Sequence, residues 1–272
     1  LDGVLETWGV ERLANIFREH SVGATFFVDV YESSLWGEEP LSTICRLLKN
    51  QGMDVQLHTH PGWRMDSRDS LQLRLVKKSK SFVSSDYDMM TKLSLREQTR
   101  VISDGADLLE SWTGVRPVLH RSGGYAVNPD TIAALAQNGF VGDFSSHWDH
   151  PNCELNWTKN AVTFRDGIVE VPVSVFKYEP LPWFHTDRLS KTMKTDLNSC
   201  SLRALNCFVN QAQQLDLRVM TLFLHSYSLV RSNRDFSSLA PDYLAEERLH
   251  AFLEGIAARP DVRVVSAARV QR

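Results

Sequence analysis

The chain has 272 residues, 43% of them hydrophobic and 23% charged, with a formal net charge of -3. This is the profile of an ordinary globular protein with enough chain for a substantial core. Both signs of charge are scattered and no basic run stands out, so nothing argues for nucleic acid or an anionic membrane surface as a partner. No apolar run approaches the roughly 18 residues of a transmembrane helix.

The predicted elements alternate along the chain. Val10 to His20 has apolar residues at helical spacing, and Ala24 to Val28 is an apolar run too short for a helix, which predicts a buried strand. Leu41 to Asn50 returns to helical spacing, and Val55 to His58 to a strand. Gly62 to Lys92 has no clear period. Ser94 with Glu97 forms a capping box at the start of a helix reaching Trp112, and Val115 to His120 reads as the next strand. Asn128-Pro129 supplies an N-cap and a first-turn proline for a helix that Gly139 ends. Phe140 to Phe144 and Ile168 to Val175 are strand candidates, Leu202 to Leu215 a helix, Val219 to Leu224 an apolar strand, Pro241 to Ala258 a helix and Val262 to Val265 a last strand. Strands and helices alternating at this pace predict parallel βα units in a single domain over residues 1–272.

Cys45, Cys153, Cys200 and Cys207 form no CxxC motif, which favours free thiols and a reducing compartment; a cytoplasmic location is expected. The sequence begins at Leu1 rather than methionine, so a truncated N-terminal strand is also expected, and a lost signal peptide would place the protein in the periplasm or outside the cell.

Three strand ends carry polar chemistry. In His58-Thr59-His60-Pro61, residues i and i+2 of an extended chain point the same way, so both imidazoles can meet one ion. His120-Arg121-Ser122-Gly123-Gly124-Tyr125 offers a guanidinium able to fix a carboxylate or oxyanion, beside glycines that allow close backbone approach. Leu224-His225-Ser226 delivers a histidine placed as a general acid or base. Independent strands delivering titratable groups at their C-terminal ends is the layout of an active site on parallel strands. Trp63 and Trp148 lie in irregular segments after strands, where aromatic faces can pack against a sugar ring or simply pin the loops to the core.

These motifs, in this order, resemble the polysaccharide deacetylases, the NodB-homology group of carbohydrate esterases. Ala24-Thr25-Phe26-Phe27-Val28 is similar to that family's ATFFV strand, His58-Thr59-His60-Pro61 to its metal-binding histidine motif and His120 to Tyr125 to its arginine motif. Asp143-Phe144-Ser145-Ser146 and Val169 to Val173 resemble later strand ends, and Leu224-His225-Ser226 its final Leu-x-His motif. One departure is the histidine spacing: the common motif separates its histidines by three residues, and the His-x-His-Pro form resembles a branch associated with surface-polysaccharide clusters. The other concerns the family's acidic pair on the first strand. Asp2 resembles the metal-binding member, whereas the proton-accepting member either precedes Leu1 or is replaced by it.

The resemblance implies a distorted, incomplete (β/α) barrel of about seven parallel strands. It implies one divalent ion, zinc by expectation, on Asp2, His58 and His60, and hydrolysis of an acetyl or similar acyl amide on an amino sugar of a polysaccharide or glycan precursor. Arg121 would orient the first-strand base and His225 would protonate the leaving amine, while Tyr125, Trp63 and Trp148 would contact the sugar. The alternatives are a degenerate, non-catalytic carbohydrate-binding member of the same fold and a deformylase of a lipid-linked formamido sugar.

Overall fold

The structure, a computed structural model, describes residues 8–63, 88–179, 190–233 and 238–270. The expected Asp2 ligand, the expected first strand and much of the aperiodic segment after Gly62 lie outside these residues. Helix α1 (Val10–Glu19) buries Leu13, Ala14, Ile16 and Phe17, the stripe its spacing predicts. Strands β1 (Thr25–Asp29), β2 (Asp54–Thr59), β3 (Leu119–Ser122) and β4 (Gly142–Asp143) pair in parallel in that order. A two-strand excursion completes the sheet: β5 (Thr163–Arg165) is an antiparallel edge on β6 (Ile168–Glu170), which lies parallel to β4. The result is a six-stranded, mostly parallel sheet flanked by helices, the open and distorted (β/α) barrel architecture.

Helix α2 (Ser33–Trp36) leads into α3 (Glu38–Asn50), and α4 (Leu95–Thr113) and α5 (Pro129–Gln137) cover the sheet. Their starts follow the sequence closely. Ser94 and Glu97 form a reciprocal capping box, and Asn128 caps α5 with Pro129 in its first turn. Helices α6 (Leu202–Gln214) and α7 (Tyr243–Ala257) pack with α1 around a second core. Phe208 is fully buried there and stacks on Phe176 at 5.4 Å. Its truncation to alanine would cost about 3–5 kcal/mol. All four cysteines are free, and no helix among the described residues is long and apolar enough to cross a membrane.

The strands depart from expectation in identifiable ways. Strand β3 begins later than Val115, because Gly114 takes a left-handed conformation at the end of α4 and Pro117 lacks an N–H. The Val118 and Leu119 N–H groups then donate to the Gln56 side chain, at 3.0 and 2.9 Å, rather than to a strand. Ile168 to Val175 is not continuous: it divides at Pro172 into β6 and β7 (Val175–Tyr178), and β7 pairs antiparallel with β8 (Lys191–Lys194).

The apolar run Val219 to Leu224 forms no regular ladder among the described residues. One bridge joins Phe223 to Asp196, and hydroxyls take the remaining places. Ser174 N–H donates to Thr221 Oγ1 at 2.9 Å, Thr221 N–H returns a bond to Ser174 Oγ at 3.0 Å, and Thr195 Oγ1 bonds the Thr221 carbonyl. Val262 to Val265 is likewise no ladder strand, although its chain passes so close to Gly23 that a Cβ there would sit 2.8 Å from Ser266 N. Thus, among the described residues, five parallel strands carry regular hydrogen bonding, where about seven are expected of the whole chain.

Strand alternation then positions the site. Phe27, Leu119, Phe144 and Val171 meet in a small apolar cluster on the interior face of the sheet. Two residues further along, on that same face, stand Asp29 after Phe27 and Arg121 after Leu119. The pairing register sets Asp29 beside His58 and His58 beside Arg121.

Candidate active site

His58 closes a bond across two strands: its Nδ1 is 2.6 Å from the Arg121 carbonyl oxygen. A carbonyl only accepts, so Nδ1 carries the proton and Nε2 is left with a free lone pair. Burial holds the His58 pKa well below the usual histidine range, with the nearby charges of His60 and Arg121 acting the same way. His58 is therefore a neutral imidazole in the tautomer that leaves the Nε2 lone pair open.

His60 sits edge to face with it, ring centroids 4.8 Å apart and planes at 85°. Its Nδ1 lies 2.6 Å from Asp88 Oδ2. Burial acts to lower the His60 pKa, but the Asp88 hydrogen bond and the carboxylates of Asp88, Asp29 and Glu32 outweigh it and raise the value. Gly123 leaves room for the ring: a Cβ there would fall 2.5 Å from both His60 ring nitrogens. The glycine of the arginine motif thus serves the histidine motif.

Asp29 completes this corner. Its Oδ1 accepts the Tyr31 N–H at 3.1 Å, while the buried Oδ2 has no hydrogen-bond partner among the described residues. Burial lifts its pKa to about 7, against the opposing pull of His60. Among the described residues, no group of three or more His, Cys, Asp or Glu side chains is arranged to hold a metal ion. His58 and His60 offer two nitrogens side by side, and the expected third ligand, Asp2, lies outside the described residues.

Across the mouth, the Arg121 guanidinium lies 4.7 Å over the Phe223 ring, with no side-chain hydrogen bond among the described residues. Burial lowers its pKa, and Tyr125, Asp143, Asp196 and Glu170 act in the opposite sense. Lys194 packs on the same Phe223 ring at 4.5 Å, bonds Tyr125 Oη at 3.0 Å and pairs with Asp196 Oδ2 at 3.2 Å. Tyr125, a bulky residue at φ 61°, is held in that uncommon conformation between the rings of His147 at 4.8 Å and His150 at 4.7 Å.

His225 is solvent-accessible and stacks on Tyr227, centroids 4.9 Å apart and planes at 14°. Burial lowers its pKa; Asp196 acts to raise it, and Arg121, Lys194 and His60 to lower it further. The structure therefore brings His58, His60, Arg121, Tyr125 and His225 to one end of the sheet. Trp63 instead packs partly buried against the core around Leu57 and Val101. Trp148 is 42% exposed, with Lys159 5.0 Å over its ring.

The sequence reading missed Asp29, Asp88, Lys194 and Asp196. Asp29 alone had a usable signal, since it directly ends the ATFFV strand. The others depend on contacts between distant segments.

A family model for polysaccharide deacetylases matches residues 2–142, just over half of the chain. The chain belongs to the polysaccharide deacetylase family. A crystal structure from Mycobacterium smegmatis assigned to the polysaccharide deacetylases is 21% identical, with a TM-score of 0.54, covering 96% of this chain and 75% of that one. A CE4 family pseudoenzyme from Bacillus anthracis is 9% identical with a TM-score of 0.49, over 97% and 60% of the two chains. A family 4 carbohydrate esterase from Streptomyces lividans, in complex with acetate, is 15% identical with a TM-score of 0.47, over 94% and 91%. No curated protein matches the sequence. The Mycobacterium smegmatis structure agrees with this one in fold.

Proposed function

We propose that this polysaccharide deacetylase removes an acetyl or similar acyl group from an amino sugar and does so with one bound divalent ion, zinc by the chemistry of its donors. The observation that carries the reading is the pair of imidazoles at the end of β2. Each commits Nδ1 to a partner, and each keeps Nε2 for a ligand. The residues fit such an ion: two neighbouring nitrogen donors, with a carboxylate oxygen of Asp29 beside them that has no partner among the described residues. His58 and His60 would hold it together with Asp2. When bound, the ion would polarise the acyl oxygen and lower the pKa of a water.

The remaining roles fall to the chain itself. Arg121, desolvated and without a side-chain hydrogen bond of its own among the described residues, offers a planar fork to a carboxylate or to the oxyanion that develops on the acyl group. His225, at the accessible rim, would donate a proton to the leaving amine. Tyr125, Trp148 and Trp63 are the aromatic faces proposed to meet the sugar, with Lys194 fixing the Tyr125 hydroxyl.

The test is to determine metal content by elemental analysis, then to measure acetate and formate release from a panel of acylated amino sugars with and without a chelator. About one divalent ion per chain and chelator-sensitive acetate release are expected. Formate release alone would favour the deformylase. Sugar binding without release of either acid would make the chain a non-catalytic carbohydrate-binding member.

A further inference from the structure

Asp88 reaches His60 from 28 residues further along the chain, outside the histidine motif and outside every strand. Both of its oxygens are engaged on the turn that follows β2. Oδ2 lies 2.6 Å from His60 Nδ1, and Oδ1 accepts the Gly62 N–H at 3.2 Å. The approach is close: a Cβ at Gly62 would sit 3.0 Å from Asp88 Oδ1.

An imidazole at a strand end has two neutral tautomers and a ring free to turn about its side-chain bonds. His58 is settled by a backbone carbonyl. Among the described residues His60 meets no such carbonyl; Asp88 accepts from its Nδ1, and Gly123 bounds the ring. We infer that Asp88 is a positioning residue for His60, selecting the Nδ1–H tautomer and the ring orientation that present Nε2 to the metal ion. The inference rests on the metal-dependent reading above and deepens it. Asp88 touches neither substrate nor ion; it acts through His60. Carboxylates in this position typically contribute about 10–100-fold to metal affinity.

Asp88→Asn separates this role from a purely structural one. Its single amide oxygen can serve Gly62 N–H or His60 Nδ1–H but not both, and its NH2 group favours the opposite imidazole tautomer. Two measurements on the full chain are needed. In the metal-free protein, at a pH where the ring is neutral, long-range 1H–15N imidazole spectra should show His60 as Nδ1–H in the wild type and a shifted or mixed tautomer in Asp88→Asn. Calorimetric titration with zinc should show affinity about 10–100-fold weaker in Asp88→Asn, at a melting temperature close to that of the wild type.

Unchanged zinc affinity in a folded Asp88→Asn protein would overturn the inference and leave the metal reading standing. So would an Nε2–H tautomer at His60 in the wild type, a result that needs no variant to fold. A wild-type protein that binds no zinc would overturn both.

Discussion

The two faces of the sheet carry neighbouring residues with opposite fates at its C-terminal end. His58 and Arg121 face the barrel interior, whereas Thr59 and His120, one residue away on the same strands, turn to the helices. On the helix side, His120, Asp143 and Glu170 are fully buried and bonded to one another or to close neighbours. His120 Nε2 meets the Thr59 hydroxyl at 2.9 Å, and its Nδ1 meets Asp143 at 2.8 Å. Ser145 Oγ also donates to Asp143, and Ser146 N–H to Glu170, both at 2.7 Å. Burial, then the charge of Asp143, push the Glu170 pKa well up, so Glu170 keeps a proton to donate to Asp143. The same contacts hold Asp143 low, against its own burial.

Asp143 Oδ2 and Glu170 Oε2 have no other partner among the described residues and are left to share the Glu170 proton, and the Ser122 and Ser146 hydroxyls beside them have none. The interior face has no such shared proton. His58 and His60 each keep a nitrogen free, Asp29 keeps an orphaned oxygen, and Arg121 has an aromatic ring beneath it in place of a hydrogen-bond partner, all among the described residues. Buried polar groups that satisfy one another specify a fold, whereas groups held rigid but unsatisfied are suited to a ligand. The largest test of this contrast is His58→Ala with His60→Ala. Bound metal should fall from about one ion per chain to none by elemental analysis, while the metal-free protein melts near the wild-type temperature. Full occupancy in the double variant would remove the metal assignment, and a collapse in melting temperature would show that the interior face also holds the fold.

The opposite result is expected behind the sheet. Asp143→Ala leaves His120 and Glu170 buried without their partner, and urea unfolding should show a loss of about 3–5 kcal/mol. A loss below about 1 kcal/mol would erase the distinction between the faces.

His225→Ala should retain its metal and lower turnover by roughly two to four orders of magnitude, with the fold intact. As an acid His225 works only when protonated, so the limb of the rate profile that falls with rising pH should vanish in the variant. Loss of metal instead would make His225 a ligand. Gly123→Ala probes the boundary between the faces: its methyl would press on the His60 ring, and zinc affinity should weaken by about tenfold or more while the strands stay paired. Equal affinity by calorimetry would show that the ring can move aside freely.

The smallest effect is expected from Glu170→Gln. The folded state keeps Glu170 protonated above the usual carboxylate value of about 4.3, where the unfolded chain has released its proton. Its contribution is thus fully present below that value and lost as pH rises towards the raised folded value. The amide of the variant cannot titrate and still offers a donor to Asp143, so melting temperature against pH should be flatter on that side. Asp143, held low, leaves the opposite trend, loss of stability as pH falls, in both proteins. Parallel curves for the two proteins would mean that Glu170 is ionised in the fold.

Much of this protein was determined by residues close together in the chain. The Ser94 and Glu97 capping box, the Asn128-Pro129 helix start and the two-residue spacing of His58 and His60 each depend on neighbours within one turn or one pleat, so pattern alone identifies them. The apolar runs of β1 and β2 are legible for the same reason. Tertiary structure decided the rest, because the deciding contacts join segments with no shared period. Asp88 reaches back to His60, Lys194 crosses to Tyr125 over 69 residues, and Gly123 lies against the His60 ring just past the end of β2. Val219 to Leu224 shows the limit most clearly: its apolar pattern suits a strand, but Ser174, Thr195 and Thr221 hydroxyls take over the bonding positions that a ladder would use. Periodicity reports which face a side chain is on; which backbone group a hydroxyl will satisfy depends on what the folded chain sets opposite it.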